Sequence, residues 1–396
     1  MASPLRVLII GARSAGLLMA HVFKKIGISA TVSEQDSSPT ARPRDWNFGI
    51  YWAQARLEEI LTPELNAALD TMQTDPAYKR HAGSVLPLIN GKTGEPLKDL
   101  GAPYCLRLRR RPWLELLRGG LDVRFSKRLA HISTVEDGVI ATFTDGTTES
   151  GNLLIGADGA HSIVRQYLFQ ESPQDALLLK SPILATVAIT TLDRGAAAAI
   201  RKLNPTFHMT LDSNDPANWT FLIVATWHSE EDTGLQGDDA ILDDLRSRAH
   251  DLTFPFKESL ATIPRGTKMW HTRMDYWPTK PWDSRGGLVT LAGDAAHSMT
   301  FHRGQGLGNA IRDVAELQSR LGAMASNTPA ELAKAVQAYE TDLWPRGYDV
   351  AMANLENSIR LHDWDSVTKS LMLTEGLSRV GERMHGASGQ AVFGTP

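Results

Sequence analysis

Residues 5 to 34 constrain this chain more than any other stretch, because they read as a strand, a glycine turn, a helix and a second strand. Leu5 to Ile10 is a near-continuous apolar run, as in a strand buried on both faces of a parallel sheet. Gly11-Ala12-Arg13-Ser14-Ala15-Gly16 follows, then a helical pattern through Lys25 with Gly27 to close it. Ala30 to Ser33 is the second strand and ends at Glu34. Parallel strands joined this way need a right-handed crossover, so helices must cover the sheet. A glycine string between strand and helix brings backbone N–H groups up to a diphosphate, and an acid 18 residues after the last glycine is placed for a ribose hydroxyl. Gly11, Ser14, Ala15, Gly16 and Glu34 are therefore candidate dinucleotide ligands. Arg13 stands where the middle glycine is usual. Its side chain must swing away or take the phosphate itself, and its bulk opposes close approach. The expectation is a weakened or shifted grip on the dinucleotide, against a reading in which Arg13 sits harmlessly in solvent.

A second unit of the same kind lies downstream. Gly287 to Ala292 is a short apolar strand ended by Gly293-Asp294; Gly304, Gly306 and Gly308 then precede a helical pattern from Ala310 through Leu321. Glycines let a ligand approach the backbone, and the helix N-terminus offers N–H groups and partial positive charge. Asp294 can hold the hydroxyls of a sugar-like chain. Between the two units, an apolar strand in Asn152 to Arg165 ends at Asp158-Gly159, and Ser162 can cap the following helix.

These three stretches, in this order, resemble the class A flavin monooxygenases, the para-hydroxybenzoate hydroxylase-like family, over roughly residues 5 to 325. GDAAH followed by GQG is similar to the family's second FAD motif, ADGAHSIVR to its DG motif, and MTFHRGQGL to its fungal natural-product branch. Phe301 stands where the motif's Pro is usual, and Gly308 where its Asn is usual, with Asn309 one place later.

The resemblance implies an α/β fold: a Rossmann-like FAD-binding domain of the glutathione reductase and para-hydroxybenzoate hydroxylase type, an inserted, mainly antiparallel β-sheet substrate domain, and C-terminal helices. The expected parts are 1–75, 106–171 and 281–325 for the FAD-binding domain, 76–105 for a substrate-side excursion, 172–280 for the substrate domain and 326–396 for C-terminal helices and tail. It implies FAD ligands at Gly11, Arg13, Ser14, Ala15, Gly16, Glu34, Asp158, Gly293, Asp294, Gly304, Gly306, Leu307 and Gly308. Arg44, with Arg42 as its rival, comes from the loop after the second strand. Arg110 is the carried-over arginine near Pro112, with Arg109 and Arg111 open because the register is ambiguous by one. Asp158 orders its turn, Arg165 pairs within the motif, and His297 belongs to motif folding.

The implied reaction is FAD-dependent. NADPH or NADH supplies hydride, and O2 reacts at flavin C4a to give a hydroperoxide that delivers one oxygen to an electron-rich aromatic, polyketide, indole or terpenoid substrate. Hydroxylation leads, with epoxidation or Baeyer–Villiger insertion on the same scaffold as one alternative and a non-redox scaffold or cyclase as another. A phenol-like substrate needs a base or a positive anchor, and His302 and Arg303 stand in the motif where one is wanted.

The remaining chain reads more coarsely. Ala53 to Leu69 is helical, and Thr74 to Gly101 carries turns at Asn90-Gly91 and Gly94. Asp122 to Ile155 gives three or four short strands as a meander. Ile183 to Leu192, Phe207 to Asp212, Trp219 to Trp227 and Lys268 to Tyr276 are strands, with Asp238 to Ala249 a helix. Trp219, Trp227, Trp270 and Trp277 read as core before pocket wall. Pro345 separates a helix Pro329 to Leu343 from a second, Gly347 to His362; Gly386 to Pro396 reads as a frayed tail. His21 and His131 have no evident partner. A net charge of −4 argues against nucleic acid and a membrane-surface patch, and no apolar run reaches spanning length. The single cysteine, Cys105, excludes an internal disulfide and suggests a cytoplasmic setting. No His/Cys cluster has metal spacing. Oligomeric state is not legible.

Overall fold

The computed structural model describes residues 4–42, 45–204 and 215–377. Its centre is a five-stranded parallel sheet in the order Val289–Leu291, Leu153–Gly156, Arg6–Ile10, Ser29–Ser33, Val123–Arg124. Val7, Ile9, Val32, Leu153, Ile155 and Val289 are wholly buried in it. Burying each such side chain contributes about 1.5–3 kcal/mol, so the apolar runs hold the sheet's middle. The first helix, Ser14–Lys25, and the helix Gly306–Gly322 pack on each other over one face.

Three strands, Leu129–Val135, Gly138–Phe143 and Thr148–Gly151, form the antiparallel meander. The flanking strands Val123–Arg124 and Leu153–Gly156 belong instead to the parallel sheet, so the expected single meander is split between two sheets. Ala53 to Leu69 is two short helices, Gln54–Ile60 and Pro63–Ala68, because Thr62 caps a new N-terminus with Pro63 in its first turn. Val85–Ile89 and Pro96–Gly101 pair as a hairpin.

A second sheet lies over the first unit, antiparallel in the order Thr220–His228, Leu179–Thr191, Met269–Tyr276. Helices Arg194–Leu203, Asp238–Arg248 and Phe256–Ala261 cover its outer face through Ile223, Ala225, Phe221, Ala188 and Met269. The other face carries Val187, Ile189, Leu222, Val224 and Trp270, which are only partly covered; Val224 is 40% exposed. Trp219 and Trp277 are core, Trp227 stacks on His271 with Arg248 at 4.0 Å on the outer side, and Trp270 alone of the four stands on the uncovered face. The strand expected at Phe207 to Asp212 and the tail Gly386 to Pro396 lie outside the described residues.

The largest departure from expectation is Pro345. Pro329–Leu361 is one continuous 33-residue helix with Pro345 inside it. An interior proline costs about 3 kcal/mol. Tyr339, Leu343, Val350, Ala351 and Leu355 are buried on either side of it, and together they outweigh that cost.

Candidate FAD site

The first helix starts at Ser14 with Arg13 as its N-cap residue, and no side chain caps it. Its first-turn N–H groups have no intrahelical partner, which suits an anion. Gly11 and Gly16 are required by packing. A Cβ on Gly11, which lies at φ +108, would meet Ala157 O at 2.4 Å; one on Gly16 would meet Gly11 O at 2.1 Å. Position 13 carries no such restriction: its φ of −101° suits any residue. The Arg13 side chain swings aside, its Nη2 donating to Asp36 Oδ2 at 2.5 Å, with Glu34 Oε2 3.9 Å from Nε. Asp36 also accepts from Arg42 Nε at 3.0 Å. Glu34 is buried at the strand end and accepts from Ala12 N at 2.9 Å and Asp36 N at 3.0 Å. Ser14 Oγ accepts from Trp113 Nε1 at 3.0 Å, and Ala15 is packed in the core.

Arg110 opens the helix Arg110–Arg118, and its guanidinium lies 5.4 Å from the Trp46 ring. Burial pushes its pKa down to about 10, and the charges of Arg13 and Arg42 add to that. Arg13, Arg42 and Arg110 therefore crowd positive charge over the helix start. Arg109 ends the preceding strand, and Arg111 N donates to Asp45 at 2.9 Å. Arg44 lies outside the described residues.

The middle turn is ordered by Asp158, whose Oδ2 accepts from Ile163 N at 2.7 Å and Val164 N at 3.3 Å. Burial raises its pKa, and its Oδ1 is buried with no partner among the described residues. Ser162 Oγ caps Arg165 N at 2.9 Å. Arg165 reaches beyond its own motif: it donates to Ala160 O, to Ala176 O at 2.9 Å and to Ala295 O at 2.9 Å. That last bond ties the middle turn directly to the Gly293–His297 turn.

Gly293 adopts φ +61, ψ −143, a conformation open to glycine alone, and Asp294 begins the short helix Asp294–His297. Gly293 N donates to Asp313 Oδ2 at 2.8 Å, and His297 Nε2 shares the same oxygen at 2.7 Å. Arg346 donates to Asp313 Oδ1 at 2.9 Å. Burial alone would raise the Asp313 pKa; His297 and Arg346 reverse this and hold it below the ordinary carboxylate range. Neither Asp313 nor Arg346 stood out in the sequence. The available signal was that Asp313 falls in the apolar stripe of its helix, with Ala310, Ile311, Val314 and Leu317. Asp294 behaves differently: surrounding protein raises its pKa, yet its surface is open to solvent. Its Oδ1 lies 3.7 Å from where a Cβ on Gly306 would stand, beside the start of the next helix.

The glycines of the third turn do not all serve a ligand. A Cβ on Gly304 would meet the Tyr51 ring at 2.5 Å, and one on Gly308 the Trp52 ring at 2.6 Å. Those two glycines make room for side chains, and Trp52 Nε1 also donates to Gln305 Oε1 at 2.9 Å. Gly306 differs, with Asp294 Oδ1 at 3.7 Å from its would-be Cβ. Leu307 packs partly buried against the core. The helix starts at Gly306 without a side-chain cap.

His302 and Arg303 do not stand as the expected base and anchor. Both His302 ring nitrogens are engaged, with Thr226 Oγ1 at 3.1 Å and Ser358 Oγ at 2.7 Å, and burial with His362 beside it lowers its pKa to about 3. It is neutral and cannot anchor an anion. Arg303 is wholly buried and reaches Glu375 and Gly376 O at 3.5 and 3.4 Å. His21, expected without a partner, bonds Leu117 O at 2.7 Å. Burial lifts the Cys105 thiol to about 11, as suits a packing residue. Among the described residues no acid or histidine cluster could hold a metal, and no helix is long and apolar enough to cross a membrane. A groove of about 720 Å3 along Asp349, Met352, Glu356 and Ile359 lies on the solvent side of the long helix, apart from the three turns.

FAD suits this arrangement. An uncapped helix start offers N–H groups suited to a diphosphate, and Glu34 and the exposed Asp294 are acceptors suited to hydroxyls. The family profile described as "FAD binding domain" matches residues 114–352. The FAD-dependent monooxygenase cctM of Talaromyces islandicus is 43% identical, over 94% of this chain and 97% of its own length. The FAD-dependent monooxygenase phnB of Penicillium herquei is 33% identical, over 93% and 94%. Among solved structures, Klebsiella pneumoniae HpxO complexed with FAD and uric acid superposes with a TM-score of 0.73 at 20% identity, covering 96% of this chain and 94% of that one. A salicylate hydroxylase substrate complex gives 0.72 at 18%, covering 94% and 93%.

Proposed function

The chain belongs to the FAD-dependent monooxygenases, and from that premise we propose that it consumes NADPH or NADH and O2 to place one oxygen atom on an electron-rich aromatic or polyketide-like small molecule. Bound FAD supplies the hydride acceptance and the oxygen activation; the residues supply position, charge and dryness. The first-turn N–H groups of the first helix, with Arg110, would hold the diphosphate, Glu34 the ribose, and Asp294 the ribityl hydroxyls. The uncapped helix start at Gly306 would offer partial positive charge to an anionic reduced cofactor.

The observation that carries this reading is the pairing of two features. Arg165 ties the middle turn to the Gly293–His297 turn, and Asp313 fixes Gly293 and His297. The second sheet adds a half-uncovered apolar face, with Val187, Ile189, Leu222, Val224 and Trp270. An apolar roof excludes water, which would otherwise waste the activated oxygen. The chain's fungal relatives are FAD-dependent monooxygenases, which agrees with a small natural-product substrate, and we take hydroxylation as the leading outcome. Epoxidation and Baeyer–Villiger insertion remain available to the same site, and product mass and structure separate them. The non-redox scaffold reading rested on Arg13 and on the altered residues Phe301 and Gly308; the Arg13 side chain is turned to Asp36, and a colourless protein that oxidises no NADPH would favour that reading.

The test is direct. Purified protein should be yellow, bleach with NADPH or NADH under nitrogen, and show NAD(P)H oxidation stimulated by phenols, aromatic polyketides, indoles or terpenoids. A product heavier by one oxygen completes the case. A yellow protein that no reduced nicotinamide bleaches would refute it.

A further inference from the structure

Thr226 stands on the uncovered face of the second sheet, two residues beyond the exposed Val224. Its hydroxyl touches two imidazoles, His302 Nε2 at 3.1 Å and His362 Nε2 at 2.8 Å. His302 Nδ1 lies 2.7 Å from Ser358 Oγ, and His362 Nδ1 lies 2.6 Å from the Ser358 carbonyl oxygen. Three of these contacts fix the protons around Thr226. A carbonyl only accepts, so His362 Nδ1 carries a hydrogen. Neutral His362 then has a bare Nε2, and the Thr226 hydroxyl must donate to it, since two lone pairs facing at 2.8 Å would repel. The Thr226 oxygen is left to accept from His302, which therefore carries its hydrogen on Nε2. Ser358 Oγ, 2.7 Å from His302 Nδ1, also lies 2.7 Å from Thr300 Oγ1 and 2.8 Å from the Asn354 carbonyl oxygen, so its single hydrogen is shared among three neighbours. A hydroxyl oxygen has room for one further donor, and Thr226 shares its sheet face with the exposed Val224.

We propose that Thr226 and His362 are the proton outlet of the site, taking the proton of a phenolic or enolic substrate hydroxyl. This rests on the monooxygenase reading above. The substrate O–H bond breaks and leaves its electron pair on oxygen. Thr226 Oγ takes that proton and releases its own to His362 Nε2, which becomes an imidazolium. Thr226 then donates to the substrate oxyanion, while His302 holds Thr226 in place. The proton returns to the product or leaves over the half-buried His362 ring.

His362 suits the charge better than His302 does. It is the C-cap residue of the 33-residue helix, where the helix dipole favours a cation. Burial lowers its pKa and nearby His228 adds to this, but its bonds to Ser358 and Thr226 oppose the shift. The other charged groups near it are few. His302 is neutral, His228 is 3.3 Å from Glu230, Asp363 follows in the chain, and Arg360 is tied to Glu356 at 2.6 Å.

The experiment is a pH titration of FAD-loaded, 15N-histidine-labelled protein by NMR from about pH 5 to about pH 9, in wild type, Thr226→Val and His362→Gln. At high pH, His362 should be the Nδ1–H tautomer and His302 the Nε2–H tautomer. On acidification only His362 should gain a proton, at Nε2, and Thr226→Val should move that titration. Finding His362 as the Nε2–H tautomer, or both rings unmoved in Thr226→Val, overturns the proposal. The same three proteins are then assayed for NADPH oxidation stimulated by resorcinol. The wild-type rate should fall as pH drops through the His362 titration; His362→Gln should lose that acid limb and about 100-fold in rate. An acid limb that survives in His362→Gln also overturns it. Stimulation of none of the three would count against phenol oxygenation, while the tautomers decide the proton map by themselves.

Discussion

Arg346→Met is the sharpest test of how the cofactor turn is held. Arg346 is 8% exposed and Asp313 wholly buried, and their contact is 2.9 Å. Asp313 raises the Arg346 pKa against the lowering effect of burial, so the pair is ionised. Removing one partner of a buried pair costs about 3–5 kcal/mol, because the remaining charge stays desolvated. His297 and Gly293 N still reach Asp313 Oδ2, which places the expectation at the low end, about 3 kcal/mol. Loss of the Asp342 contact to Arg346 at 3.1 Å adds little, since Asp342 is partly exposed and keeps Arg312. The assay is equilibrium urea unfolding followed by tryptophan fluorescence, with Asp313→Leu and the double variant completing a cycle. The double should be less damaged than the sum of the singles by roughly 2 kcal/mol. FAD affinity, read by flavin fluorescence quenching, should weaken in the same variants, because Asp313 fixes Gly293 and hence Asp294. A shift in Arg346→Met under about 1 kcal/mol, or strict additivity, would refute the reasoning.

Other outcomes follow from the same geometry. Asp294→Ala should lower FAD affinity by about tenfold, as for one lost charged hydrogen bond, with an unchanged urea midpoint; equal damage to stability would show a structural role instead. Gly11→Ala should destabilise and lose FAD together, since its Cβ would overlap Ala157 O at 2.4 Å and its φ is +108; a stable variant that retains flavin contradicts this. His302, at about 3 when folded against 6.5 unfolded, is protonated first in the unfolded chain. Its contribution is intact above about pH 6.5 and is lost as pH falls toward 3, about 2 kcal/mol at pH 5. His302→Asn should flatten the fall in urea midpoint between pH 7 and pH 5, and identical slopes would remove the assignment.

What could be read beforehand was whatever is written locally. The strand at Leu5 to Ile10, the helix ending at Lys25 and the Ser162 cap depend on neighbours a few residues away, and pattern and turn chemistry reach that far. Pro345 misled for a physical reason: its local penalty is real, but the burial of Tyr339 and Leu355 that overrides it depends on elements elsewhere in the chain. The glycines at 304 and 308 misled in the opposite direction. They looked like ligand clearances, yet what fills the space is Tyr51 and Trp52, some 250 residues earlier. A separation of 136 residues likewise hid Thr226 and His362, each unremarkable until the sheet edge and the helix end meet at one hydroxyl. His302 was noticed for its motif position, and its pinned nitrogens could not be foreseen from that position.

The order of strands in the central sheet has a consequence for biosynthesis. The strand Leu153–Gly156 is flanked on one side by residues near the start of the chain and on the other by Val289–Leu291. At ordinary translation speeds, on the order of ten seconds separate the emergence of those two partners from the ribosome. Throughout that interval one edge of the nascent sheet is bare, and the flavin clasp lacks its last jaw. Whatever shields the open edge must act before the Gly293–Asp294 turn, which follows that last strand, has been made.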